Sequence, residues 1–349
     1  MKLKFIAVFA SIACFHSANI QAIQLDGSFE APLVESSLLL DATTSENSIV
    51  VGERGHILLA PKDALDFVQK QSPVKTTLTA VTSLNNTVWA VGHDATILKS
   101  SDAGQTWTII QQDPDLDRPL LDVHFFDESE GIAVGAYGLF YRSIDGGESW
   151  VQESHASVLS QDDISYLDSI KDDEEFYLEE LSFISPHFNR LSEANGNLYV
   201  AGEAGLVALS QDRGNTWKRL DIDYYGSFFD VKEIQNGLTL AVGLRGNIFL
   251  LQESSWKRIE SCVTTTLNSI EVQGEKLYVA GNNGVLLSVD PSKLNRDEQG
   301  KSNSEGCKAQ VSIKKVDTGL SDAILTLLFV NETVTAITAG GLKSVNVEL

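Results

Sequence analysis

The residues best suited by type and spacing to do chemistry are three aspartates that recur in one frame, Ser-x-Asp-x-Gly-x-(Thr/Ser)-Trp. The frame reads Ser100, Asp102, Gly104, Thr106, Trp107, then Ser143, Asp145, Gly147, Ser149, Trp150, then Ser210, Asp212, Gly214, Thr216, Trp217. A carboxylate beside two hydroxyls is a plausible calcium ligand or general acid. The same frame has a mechanical reading: the aspartate caps its own backbone amides, the glycine takes a left-handed angle, and the tryptophan packs between sheets. Three complete copies favour the mechanical reading, because repetition is what a scaffold needs and a single catalytic centre does not.

Other constellations are thinner. His56, His93, His124, His155 and His187 show no zinc-type spacing. Asp113, Asp115 and Asp117 imitate the start of a calcium loop, but Arg118 stands where its glycine belongs and His124 where its bidentate glutamate belongs. Neither a metal nor another cofactor is expected. A sialidase-like site would need an arginine triad and an early Arg-Ile-Pro, and the chain has no such tripeptide. Two-carboxylate glycoside hydrolysis stays open as an alternative, since 48 acidic residues always contain suitable pairs.

The elements that position these residues follow from a longer repeat. An apolar strand ending in glycine, a short turn and a second apolar strand occur seven times, with the first glycine at Gly52, Gly92, Gly135, Gly202, Gly243, Gly281 and Gly340. The intervals are 40, 43, 67, 41, 38 and 59 residues. A β unit of about 40 residues is the mark of a propeller blade. In the second copy its four strands are read as Leu78 to Ser83, Val88 to Gly92, Thr96 to Lys99 and Trp107 to Gln111, here termed A to D. The glycines are expected to supply positive φ in the B to C hairpins.

The fold class is therefore all-β, a seven-bladed β-propeller of four-stranded antiparallel blades over residues 23–349. The last unit lacks a clear D strand, and residues 24–32 are expected to supply it, closing the ring with the N-terminal strand. Two units carry insertions. The acidic one, 153–186, follows a D strand and should rise from the face that carries the B to C turns. Its residues 161–180 hold nine acids and one lysine among Ile164, Tyr166, Leu167, Ile170, Phe176, Tyr177 and Leu178, a mixture that suits an arm folding on the propeller or on a partner. The polar one, 291–306, reads as a flexible loop on the opposite face.

Turn residues ringing the mouth of the channel are the candidate partner contacts: Arg54 and Arg245 for a partner carboxylate, with His93, Tyr137, Phe176 and Tyr177 beside them. Lys2, Lys4 and the apolar run from Phe5 to Phe15 read as a signal peptide cleaved after Ala22, with lipidation at Cys14 as a minor alternative. Export places the chain in the periplasm, and no other segment is apolar enough to span a membrane as a helix. The remaining Cys262 and Cys307 favour a disulfide by parity, although their places in the repeat put much of a sheet's height between them. Without the leader, 24 basic residues face 48 acidic ones, which argues against nucleic acid and suits a basic partner. A monomer is expected.

The stretch from Pro119-Leu120-Leu121-Asp122-Val123-His124-Phe125 through Glu130 to Gly138 and on to Asp145-Gly146-Gly147-Glu148-Ser149-Trp150 resembles the photosystem II stability and assembly factor family of Asp-box, or bacterial neuraminidase repeat, propellers. The resemblance implies a non-catalytic, protein-binding scaffold or accessory factor for a membrane-associated complex. For exported members outside photosynthesis it implies a transporter of the resistance-nodulation-division type. The arginine-rich patch of photosynthetic members is not matched, since among the B to C turns only Arg54 and Arg245 are basic. The alternative function is a glycan-binding or glycan-hydrolysing propeller.

Overall fold

A computed structural model describes residues 27–347 apart from 235–236, 295–297 and 305. The leader (1–22), Cys14 and residues 24–26 lie outside that range.

Seven sheets form the ring. Their A strands are Leu39–Thr44, Leu78–Leu84, Leu120–Phe125, Phe188–Ala194, Phe228–Glu233, Leu267–Gln273 and Ile324–Val330. Six sheets have four antiparallel strands in sequence order, and the seventh has three. Between adjacent blades lie apolar layers, such as Ile49, Val51, Ile57, Leu78, Val88 and Leu98 between blades one and two. Trp107 fills that layer, as Trp217 does between blades three and four.

The two hairpin glycines do different work. The first is extended, with φ −171° at Gly52 and −169° at Gly243. It must be glycine because a Cβ at Gly243 would strike the carbonyl oxygen of Ser227, just before the neighbouring A strand. Only the second has the expected positive φ, +72° at Gly246, where a Cβ would also strike the carbonyl of Val263 in the following D to A loop. That close approach holds the B to C turns and the D to A loops together on one face.

Ring closure differs from the sequence expectation. Among the described residues no N-terminal strand completes blade seven. Residues 27–32 instead run beside the outer strand of blade one, where the Ser28 amide donates to the carbonyl of Ser72 at 2.9 Å and the Ala31 amide donates to Gln69 Oε1 at 2.8 Å. The seam is closed by apolar packing of Val34, Leu39 and Leu58 on Leu328, Val330 and Ile337. Side-chain burial replaces a shared sheet.

The fold is mainly β, and its acidic insertion forms two helices, α1 (Gln161–Ile170) and α2 (Glu174–Ile184). Ser160 caps α1 by accepting from the Asp163 amide, and Asp173 caps α2 by accepting from that of Phe176. Asp162, Asp163, Glu174 and Glu175 then fall in first turns, where the helix dipole favours negative charge. Ile164, Leu167 and Ile170 face Tyr177, Leu181 and Ile184 at helical spacing and, with Leu159, make the hairpin's own core.

The polar insertion is anchored rather than free. Leu294 is buried in the layer shared by blades five and six, and the Gln310 amide donates to the carbonyl of Glu260 at 2.9 Å. Cys262 and Cys307 are joined in a disulfide. The same Gln310 bond to Glu260, two residues before Cys262, brings the chain around Cys307 to blade five and so spans the sheet height between their repeat positions.

Candidate functional site

The Asp-box turns are self-contained. In the first, Asp102 Oδ1 accepts from the Thr106 amide at 2.8 Å and Oδ2 from its hydroxyl at 2.6 Å, while the Ser100 hydroxyl donates to Asp102 and accepts from the Gly104 amide at 2.9 Å. Asp145 and Asp212 repeat the pattern. The hydroxyl and amide of Ser149 hold the Asp145 carboxyl down at about 2. A carboxylate so fixed in its ionised form suits a turn staple, not a proton donor.

On the opposite face, Arg54, Tyr137 and Arg245 occupy equivalent central positions of their B to C turns, with φ of 55°, 53° and 57°. Asp94, Ala204 and Asn283 take the same position in blades two, four and six. The left-handed backbone lifts these side chains out of the turn. Arg54 and Arg245 are exposed and belong to blades one and five, so they flank the ring and do not meet. Arg54 is 3.8 Å from Glu53. His93 is exposed at the first position of its turn.

Tyr137 is the candidate that the structure surrounds. Its ring stands edge-on to His187 at 4.5 Å, and the Arg118 guanidinium lies 5.4 Å from its centroid. The hairpin docks beside it: the Gly138 amide donates to the carbonyl of Pro186 at 3.0 Å, and Arg118 Nη1 donates to Ser182 Oγ at 2.9 Å. Tyr177 turns into the hairpin core. Phe176 is exposed, and one helical stripe further on, seven residues along, Phe183 is 79% exposed. Tyr225, in the next D to A loop, is 88% exposed. Phe183 and Tyr225 were not singled out from the sequence. Their signal was an aromatic side chain on loops already assigned to this face.

Inside the ring lies a second polar site that the sequence reading missed. The third position of the A strand lines the bore in six blades, as Asp41, Asp122, Arg190, Asp230, Ser269 and Thr326, while Ala80 of blade two packs in an apolar layer with Trp89 and Val91. In blades one, three and five this aspartate clasps the next blade. The amides of Val81, Leu191 and Ile270 donate to Asp41, Asp122 and Asp230 at 3.0, 2.6 and 2.7 Å. In even blades the second position does so, with Thr79, Asn189 and Asn268 donating to the carbonyls of Leu120, Phe228 and Ile324 at 2.6, 2.7 and 2.8 Å. Arg190 spans the bore, its Nη1 3.6 Å from both Asp41 and Asp122. Burial pushes the Asp122 carboxyl up to about 6, with Asp41 and Asp230 also raised by burial. Burial alone would lower the Arg190 guanidinium, but the surrounding carboxylates overcome it and hold the charge.

Among the described residues, one group of three potential metal ligands converges, Glu260 with Cys262 and Cys307, and its sulfurs are committed to the disulfide. Among those residues no helix is long and apolar enough to cross a membrane.

A family model described as "Photosynthesis system II assembly factor YCF48" matches residues 111–225, which include blades three and four and the helical hairpin. "Photosystem II assembly lipoprotein Ycf48" of Synechococcus sp. (strain CC9902) is 24% identical over 218 residues, 61% of this chain and 57% of that protein. The chain thus matches somewhat more than half the length of that relative. The solved structure "YCF48 bound to D1 peptide" superposes with a TM-score of 0.62 at 13% identity, covering 90% of this chain and 95% of the other. "YCF48 from Cyanidioschyzon merolae" gives 0.62 at 14% identity, covering 89% and 96%. At such identities these two structures speak for the fold.

Proposed function

Because the chain belongs among the photosystem II assembly factor-like β-propellers of the BNR type, we propose that it is a non-catalytic docking factor for a membrane-associated protein complex, exported to the periplasm and acting as a monomer. The observation that carries this reading is the hairpin seated over the B to C turn of blade three, which leaves Phe176 and Phe183 exposed on the face that also bears Tyr137, Tyr225, Arg54, Arg245 and His93. Exposed aromatics grouped on one face are what a protein interface uses as anchors. In support, one solved relative is named for a bound peptide of D1, and the curated relative is named an assembly lipoprotein.

The partner's chemistry follows from the hairpin's charge. Nine acids and one lysine between residues 161 and 180 surround those anchors, so the complementary surface is basic and carries apolar side chains. A transporter of the resistance-nodulation-division type remains the specific candidate for an exported member outside photosynthesis.

Affinity purification from detergent-solubilised membranes tests the reading. The mature chain is expected to retain an integral membrane protein in a salt-dependent manner. Phe176→Ser combined with Phe183→Ser should reduce retention by tenfold or more, about 1.4 kcal/mol or greater, without lowering stability, since both rings are solvent-facing. Equal retention by the double variant, or saturable binding of sialylated or acidic glycans in place of protein, would sink the proposal.

A further inference from the structure

The bore carries more negative charge than its own cations balance. Asp41, Asp122, Asp230 and Glu271 line one cavity of about 230 Å³ together with two cations, Arg190 and Lys232. Lys232 Nζ donates to the carbonyl of Ile270 at 2.7 Å, and Glu271 Oε1 accepts from the Thr326 hydroxyl at 2.6 Å. His124 adds no fixed charge, because burial lowers its imidazole even though Nε2 rests 3.0 Å from Glu193. Four acidic groups thus face two cations inside a wall where an unbalanced charge is costly.

A second feature of the same wall calls for a ligand. Ser269 is 2% exposed, lines the cavity, and its hydroxyl has no hydrogen-bond partner. Buried hydroxyls are ordinarily paired. Asp122 and Asp230 each spend one oxygen on an amide of their own strand and the other on an amide of the next blade, which leaves Glu271 and the unpaired Ser269 hydroxyl as the least committed polar groups of the lining.

The spacing selects the kind of cation. Among the described residues no three carboxylates of the bore bring their oxygens within 4.8 Å of one another, so the wall is not a cage for an inorganic ion. A cation with several N–H donors on a short stem meets dispersed acceptors better. We propose that the bore binds a primary alkylammonium group, supplied by a short free diamine or by a lysine side chain of a partner.

The test is a calorimetric titration of the mature chain at pH 7.5 with 1,4-diaminobutane and with a lysine-containing tripeptide. Tetramethylammonium chloride, which has no N–H donor, serves as the ionic-strength control. Saturable binding of at least one amine is expected, weakened about tenfold or more by Glu271→Gln and by Ser269→Ala, and unchanged by Glu148→Gln on the Asp-box face. Binding should also weaken at pH 5, where Asp122 is largely neutral. Preference for the diamine identifies a free amine as the ligand, and preference for the peptide identifies a partner's lysine. Absence of saturable heat with either amine, an equal response to tetramethylammonium, or full binding by Glu271→Gln would overturn the proposal.

Discussion

Replacing Arg190 with methionine is expected to destabilise the propeller by about 3–5 kcal/mol, the usual cost of removing one partner from a buried ionic cluster. Methionine keeps most of the volume, so the loss reports charge rather than a cavity. Asp41 and Asp122 would keep their backbone clasps but lose the one guanidinium 3.6 Å from both. The pH dependence sets this apart from a packing defect. Asp122 has a folded-state pKa raised to about 6, so the stability it contributes is fully present below its unfolded value near 3.8 and is lost as pH rises through about 6. Without Arg190 that pKa climbs further. The gap between variant and wild type in urea unfolding should therefore be widest at pH 8 and narrow by pH 5. A deficit below about 1 kcal/mol, or one independent of pH across that window, would show that the cluster is not what braces the bore.

Removing the Cys262–Cys307 disulfide should have the next largest effect. The bond closes a sequence separation of 45 residues, for which the chain-entropy account gives about 4 kcal/mol, and measured losses commonly fall at about 2–4 kcal/mol. The damage is expected to be local first. The described residues between 298 and 311 are held by the Gln310 amide on Glu260, the Val311 amide on Glu298 and the Gly300 amide on Ala309, and few of them are buried. In Cys262→Ser combined with Cys307→Ser, amide exchange should rise there and along the outer strand of blade five, while the A strands around the bore keep their protection. Unchanged exchange in residues 298–311 would mean that the backbone contacts alone anchor the excursion.

Much of the architecture was legible because it repeats. The glycine hairpins and Asp boxes fixed seven blades and their two faces, since a tight turn and a close backbone approach each tolerate few residue types. The reason for the first glycine was not legible. It depends on the carbonyl of a neighbouring strand, which sequence spacing alone does not place. The closure was misread for a similar reason: Val34 and Leu39 complete the seam by burial against blade seven, and burial leaves no strand pattern behind. The helical hairpin was readable in outline, as Ile164, Leu167 and Ile170 and then Tyr177, Leu181 and Ile184 already carry helical spacing. Dense acidity and an all-β setting masked it.

The bore shows the limit most clearly. Asp41, Asp122 and Arg190 come from blades one, three and four, and only a closed ring makes them neighbours. Their shared signal was a polar residue at the third position of otherwise apolar A strands. Of the partner-face candidates, Tyr137 and Phe176 are exposed, and Tyr177 is drawn into the hairpin core.

The docking claim is tested most directly by placing a photo-activated crosslinking residue in living cells at Phe183, at Tyr225 and, on the Asp-box face, at Glu148. An integral membrane protein captured from positions 183 and 225 and absent from position 148 is the result predicted here. Capture from position 148 alone would contradict it and move the interface to the other side of the ring.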